Sequence, residues 1–350
     1  MNNIRRNIDW FINRVLAAYD HNRKSTNIFD YYNIIRKRVD VDRNICLTNY
    51  FYGFNYILKR YSGYRKKINA AIEHAPGLNM KASPESKDGT LPALLVVSKQ
   101  RAEFLHESCD KLIFDIVPSI YYAQNIYSEF DIKVIKQNLG KTLCIYPIHS
   151  IEITNYEDES KKFIEYVTGI KNQYGFDTVL VSMYFIDIER GRHLIYEQQG
   201  WTVVSAGRRE NYDFNDCMKT IISISDYAIF QSYASAIGYC IFNGVPVTIF
   251  PHNRKCECSD NASNRDFNLD KDTLKSFDEL FSAYDEKIDK RKYDICNEWF
   301  GYDSVLSIGD MRLLLEFLSE IDIQMSKKQI IKKANKAKYL QIHEKIMSAL

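Results

Sequence analysis

No apolar run in this chain approaches the ~20 residues that a membrane-crossing helix needs, and its first residues, MNNIRRNIDWF, carry no secretory apolar core. A membrane-spanning or exported product is therefore not expected. Charge of one sign is also missing: 47 basic residues nearly cancel 45 acidic ones, leaving +2, which makes no general case for nucleic acid. The eight cysteines form no framework. Cys144, Cys217 and Cys240 fall inside apolar segments, as suits reduced, buried thiols in a cytoplasm. Cys256 and Cys258, with His252 nearby, lack a second ligand pair at metal-site spacing, so no metal is expected. The phosphate-binding GxGxxG and GxxxxGK[ST] patterns and the GxSxG nucleophile elbow are all absent, which removes support from dinucleotide redox, P-loop and serine-hydrolase chemistry.

What is present is an ordinary globular composition, 45% hydrophobic and 26% charged, rich in tyrosine and phenylalanine (25 and 19) over 350 residues. That length suits about two domains. Apolar runs such as ALLVVS (93–98) and Leu112 to Val117, separated by a helical KQRAEFLHES, predict strands joined by helical crossovers, hence a parallel sheet. A polar stretch over 127–140 marks a linker. Beyond it, strands are expected at Thr142 to Tyr146, Thr178 to Phe185, Trp201 to Ser205, Ala228 to Phe230 and Val245 to Phe250, with helices between them. A capping-box pattern at Thr154 and Glu157 precedes one helix, and residues 4–18 carry another apolar stripe. The predicted division is an N-terminal acceptor-side domain over 1–126, a linker over 127–140, a Rossmann-like domain over 141–310, and C-terminal helices over 311–350. The aromatic stretch 49–64 reads either as a helix packed by its rings or as a loop that stacks a sugar or lipid-linked acceptor. The lysine-rich tail from Ser326 reads as a solvated helix or as one resting on an anionic membrane surface.

The chain is organised around DYAIFQSYASAIGYCIFNGVPVTIF (226–250): strand, small-residue turn, helix, strand. Small residues at such a turn let a ligand approach the backbone, and a helix start offers N–H groups to phosphate; plain close packing is the alternative. Polar groups recur after each strand of the second half: His149 and Ser150, Ser182 and Tyr184, Arg208 and Arg209, Ser232 and Ser235 with Ala236, then His252. In a doubly wound sheet these turns open on one edge. Hydroxyls at the Ser232–Ala236 turn, with Arg208 or Arg209, suit a phosphate, and His149 suits a phosphate or a nucleobase edge.

GKTLCIYPIHS (140–150), the 226–250 stretch and NEWFGYDS (297–304) together resemble the nucleotide-sugar-binding domain of GT-B glycosyltransferases, particularly bacterial enzymes of capsule and lipopolysaccharide synthesis, and LIFDIVPSIYYA (112–123) resembles the linker strand of such proteins. The resemblance covers roughly residues 90–320. It implies an α/β protein of two Rossmann-like domains, with the donor domain C-terminal and helical additions at both ends. It implies transfer of a sugar from a nucleotide-activated donor to a glycan or lipid-linked acceptor, without a cofactor or a DxD-bound metal. It assigns His149, Ser150, Ser182, Arg208, Arg209, Ser232, Ser235 and Ala236 to the donor nucleotide and phosphate. The helix SYASAIGYCIF lacks the glutamate pair of many retaining members, which favours inversion. The His and Ser arrangement is similar to that of transferases using CMP-linked acidic sugars such as sialic acid or Kdo. Inversion needs a base at the cleft, and Glu73 and His74 are the acceptor-side candidates; a surface turn is their other reading. The expected location is the cytoplasm or the inner face of its membrane, with the basic tail as a peripheral contact. A sugar-nucleotide 2-epimerase and a non-catalytic scaffold in a polysaccharide assembly complex are the competing functions.

Overall fold

The computed structural model describes residues 26–37, 47–74, 82–87, 89–116, 118–149, 160–251 and 271–350. The stripe at 4–18, the Thr154–Glu157 pattern and the loop beyond Asn253 lie outside them. Short apolar segments bounded by turns form the strands. β1 (Ala71–Ile72), β2 (Ala93–Val96) and β3 (Leu112–Asp115) make one parallel sheet in that order, with Leu94 paired to Ala71 on one side and Ile113 on the other. Every residue of β2 is buried, as expected of a strand covered on both faces.

The second sheet contains β4 (Thr142–Tyr146), β5 (Thr178–Ser182), β6 (Thr202–Val204), β7 (Tyr227–Phe230) and β8 (Val247–Ile249) in the order β6-β5-β4-β7-β8, all parallel. Parallel neighbours require crossovers, and helices supply them. In chain order the helices are α1 (Tyr31–Arg36), α2 (Phe54–Ser62), α3 (Lys99–His106), α4 (Glu129–Leu139), α5 (Ser160–Tyr174), α6 (Phe185–Glu189), α7 (Leu194–Glu197), α8 (Phe214–Ser223) and α9 (Ala236–Phe242). They continue with α10 (Lys271–Phe281), α11 (Lys290–Phe300), α12 (Ile308–Leu318), α13 (Lys327–Ala334) and α14 (His343–Ser348). The chain winds outward from β4 through β5 to β6, then returns to β4's other side as β7. The direction of winding thus reverses between β4 and β7, the place where a doubly wound sheet opens a crevice at its strand ends.

Several expectations shift in detail. The polar stretch 127–140 is mostly α4, capped by Ser128, whose Oγ accepts from Asp131 N at 3.1 Å. None of its side chains is fully buried, so it reads as a linker. The aromatic stretch divides at Gly53 into a 3-10 turn (Leu47–Gly53) and α2. The late motif NEWFGYDS ends α11 and then spans both layers. Tyr302 Oη donates to Gly238 O of α9 at 2.7 Å, while Ser304 Oγ donates to Asp115 Oδ2 of β3 at 2.6 Å.

The chain then returns to the first sheet: Arg312 of α12 donates to Ser62 O of α2 at 2.6 Å. In the tail, Ile330, Ala334, Tyr339, Ile342 and Ile346 are buried in the chain's own core. Lys333, Lys336 and Lys338 gather on Glu320. A surface helix binds a bilayer through its apolar face; here most of the tail's apolar side chains are turned inward, with Leu340 and Met347 left exposed. Among the described residues no helix is long and apolar enough to cross a membrane.

Candidate functional site

The carboxyl ends of β4 and β7 are tied directly together. Gln231, one residue past β7, donates its backbone N–H to Tyr146 O at 3.0 Å and accepts Ile148 N–H on Oε1 at 2.9 Å. The His149 loop and the Ser232–Ala236 turn are therefore held side by side at the crevice. His149 is exposed, with its ring 5.2 Å from that of Tyr184, just past β5. Ser232 and Ser235 are half-buried, and Ala236 opens α9. Ser235 O accepts the Tyr239 backbone N–H one turn on, at 3.4 Å. Tyr233 anchors the turn from outside, pairing with Asp278 of α10. Gly238 lets α9 approach α11: a Cβ there would strike the Phe300 ring.

The two adjacent arginines diverge. Arg208 turns away from the crevice; its Nε donates to Ile35 O at 2.7 Å, its guanidinium lies 4.4 Å over the Phe185 ring, and it pairs with Glu189. That role is structural, holding the segment around α1 against the second sheet. Arg209 turns the other way, its guanidinium 4.6 Å over the Phe51 ring and its Nε donating to Glu210 at 3.0 Å. Electrostatically it is felt by Tyr184, Tyr52 and His74.

On the first sheet the two candidate bases also separate. Glu73 is 4% exposed, and both its oxygens are taken by Arg101: Oε1 accepts Nε at 3.0 Å and Nη2 at 2.7 Å, and Oε2 accepts Nε at 3.1 Å. A carboxylate so held is a structural anion that fixes the start of α3 against β1. His74, one residue further, has no such partner among the described residues. Its Nε2 lies 3.3 Å from Tyr52 Oη, and its ring is 5.0 Å from that of Tyr52. Burial and then the Arg209 charge push it down from 6.5 to about 4, so His74 is neutral at pH 7. A cavity of about 10 Å³, room for one water, lies beside these groups, lined by Glu73, Val97, Ser119 and Tyr239 among others.

The fold thus brings the His74 side chain and the Arg209 carbonyl to Tyr52, sets His149 beside Tyr184, and ties the His149 loop to Gln231 at the start of the Ser232–Ala236 turn. Ser182 is buried within β5's end. Ser150 and His252 lie outside the described residues, as does the Cys256–Cys258 pair. Tyr52 and Tyr239 were not among the sequence candidates; the Tyr-Gly step at 52–53 was the one signal for the first. Among the described residues no group of three His, Cys, Asp or Glu is arranged to hold a metal ion. Comparison with protein-family models and with curated proteins finds no match to this chain.

Proposed function

We propose that this chain is a GT-B-type glycosyltransferase, moving a sugar from a nucleotide-activated donor to a glycan or lipid-linked acceptor in surface-polysaccharide synthesis. One observation carries the reading. Residues of the two sheets meet through the 209–212 loop: Tyr52, whose ring lies 5.0 Å from that of His74 past the end of β1, donates its N–H to Arg209 O, while His149 and Tyr184 stand 5.2 Å apart at the reversal point of the second sheet. The donor is assigned to the crevice and the acceptor-side base to His74.

In this reading the nucleotide lies over the His149 loop and the Ser232–Ala236 turn. Arg209 takes the charge of the departing phosphate, or the carboxylate of a CMP-linked acidic sugar such as sialic acid or Kdo. The acceptor oxygen attacks the anomeric carbon and the bond to phosphate breaks with its electron pair. The acceptor proton passes toward His74, because Glu73 is occupied by Arg101. The transfer inverts the anomeric centre and needs no cofactor beyond the donor.

Calorimetric titration with CMP, UDP and GDP tests the reading. One of them should bind the wild type, and Arg209→Ala and Ser235→Trp should each weaken that binding at least about tenfold, the effect of losing one charge-assisted contact. Unchanged affinity in both variants would remove the donor-site assignment. Failure of all three nucleotides to bind would favour the scaffold reading.

A further inference from the structure

Resting on that reading, we propose that Tyr52 is the group that takes the acceptor's proton, passing its own hydroxyl proton to Nε2 of His74. Three observations carry it.

Among the described residues Tyr52 is the only non-glycine residue with positive φ, at 56°. An aromatic side chain in that conformation costs on the order of 1 kcal/mol and persists where the surroundings over-determine it. Here they do. Tyr52 N–H donates to Arg209 O at 2.5 Å, and Gly53 follows at φ 75° with the Tyr212 carbonyl occupying the place a Cβ would fill. The 51–53 turn is thus clamped to the 209–212 loop.

The clamp has one visible product, the placing of a phenol against an imidazole. The Tyr52 ring packs on Phe214 at 4.8 Å and Phe54 at 5.6 Å, which sets Oη beside His74 Nε2. Between a phenol and a neutral imidazole, the more acidic O–H donates and the ring nitrogen accepts. His74 then carries its proton on Nδ1, with its Nε2 lone pair turned to Tyr52. An acceptor hydroxyl reaches that lone pair through Oη, and Tyr52 is half-buried rather than sealed.

The surrounding charges time the transfer. The Arg209 guanidinium lies over Phe51, whose ring is 5.5 Å from that of His74, and the charges of Arg209 and Glu210 are felt at Tyr52; the neighbouring Glu73 is spent on Arg101. Before a donor binds, burial first and then the Arg209 charge oppose an imidazolium. A departing phosphate on Arg209 removes the second of these while the acceptor loses its proton. The acceptor proton goes to Tyr52 Oη and the phenol proton to His74 Nε2; the electron pair of the broken C–O bond goes to phosphate, and His74 releases its proton to water on product exit.

The test uses nitrogen-15 histidine NMR with turnover of CMP-, UDP- and GDP-linked sugars, read as release of free nucleotide. We expect an Nδ1–H tautomer for His74 at pH 7 that loses its bias in Tyr52→Phe. That variant keeps the ring, its melting temperature and its nucleotide affinity, but loses about 100-fold or more in turnover. Adding His74→Ala to it should cost little more, because the two act as one unit. An Nε2–H tautomer in the wild type, or full turnover by Tyr52→Phe in a chain that binds nucleotide, overturns the relay alone. Absence of nucleotide binding overturns the underlying function and the catalytic step together.

Discussion

Arg60 and Asp216 form a two-pronged ion pair, Nη1 to Oδ2 and Nη2 to Oδ1, both at 2.7 Å, with the Asp216 side chain fully buried. Asp216 Oδ1 also accepts Gln124 N–H at 2.8 Å. One carboxylate on α8 thereby fastens α2 and the chain leading into α4. Phe214, two residues earlier, is the surface on which Tyr52 rests, so the lock and the candidate site share a helix. Asp216→Ala removes the two-pronged pairing from the Arg60 charge and should cost about 3–5 kcal/mol, measured by urea unfolding. A loss below about 1 kcal/mol would mean that the pair is not the anchor of this junction.

Glu73 is expected to matter for folding rather than for turnover. Glu73→Gln takes the carboxylate charge away from the Arg101 guanidinium, itself 5% exposed, and breaking a buried ion pair in this way costs about 3–5 kcal/mol. Turnover per folded molecule should stay near normal, and Arg101→Met in the same chain should restore much of the stability. A stable Glu73→Gln protein without activity would return Glu73 to the list of bases.

Lys59 on α2 is buried, and burial pushes its ammonium down from 10.5 to about 8. The unfolded chain keeps the proton to higher pH than the native one, so between about 8 and 10.5 unfolding takes up protons and stability rises with pH. Below that window the full penalty applies, roughly 3 kcal/mol for a difference of this size. Lys59→Met should therefore stabilise the protein at pH 7 by up to about that amount, and its denaturation midpoint should show less upward slope from pH 8 to 10. An equal slope in both proteins would place its origin elsewhere.

Gly238→Ala drives a methyl into the Phe300 ring. Overpacking of this kind costs about 1–3 kcal/mol, and because α9 begins at the Ser232–Ala236 turn, nucleotide affinity should fall with stability. Phe300→Leu in the same chain makes room and should recover both. Recovery of stability alone would show that the turn is held independently of α9's packing.

The order of strands and crossover helices was legible because its signals are local. ALLV, TLCIY, TVLVS and YAIF are short apolar runs between polar turns, and the Phe214, Cys217 and Ile221 spacing is a helix's own period. The presence of polar residues after β4, β5 and β7 followed from the same reading. What went unread was local geometry hidden by composition: α4 looked like a linker because its stretch is polar, and α11 was hidden in a charged stretch.

By itself, then, the sequence determined an α/β chain with parallel strands and a set of polar residues at their ends, since periodicity and turn chemistry act over a few residues. Which of those residues share a site was decided by the tertiary structure. Arg208 and Arg209 are indistinguishable in sequence, yet one holds Ile35 O and the other lies over the Phe51 ring. Glu73 and His74 are likewise neighbours, and only Arg101, 28 residues away, removes the first from contention. Tyr52 acquires its place from Arg209 and Tyr212, more than 150 residues along the chain. Charge pairing, burial and close backbone approach act through space, and no window of sequence contains both partners.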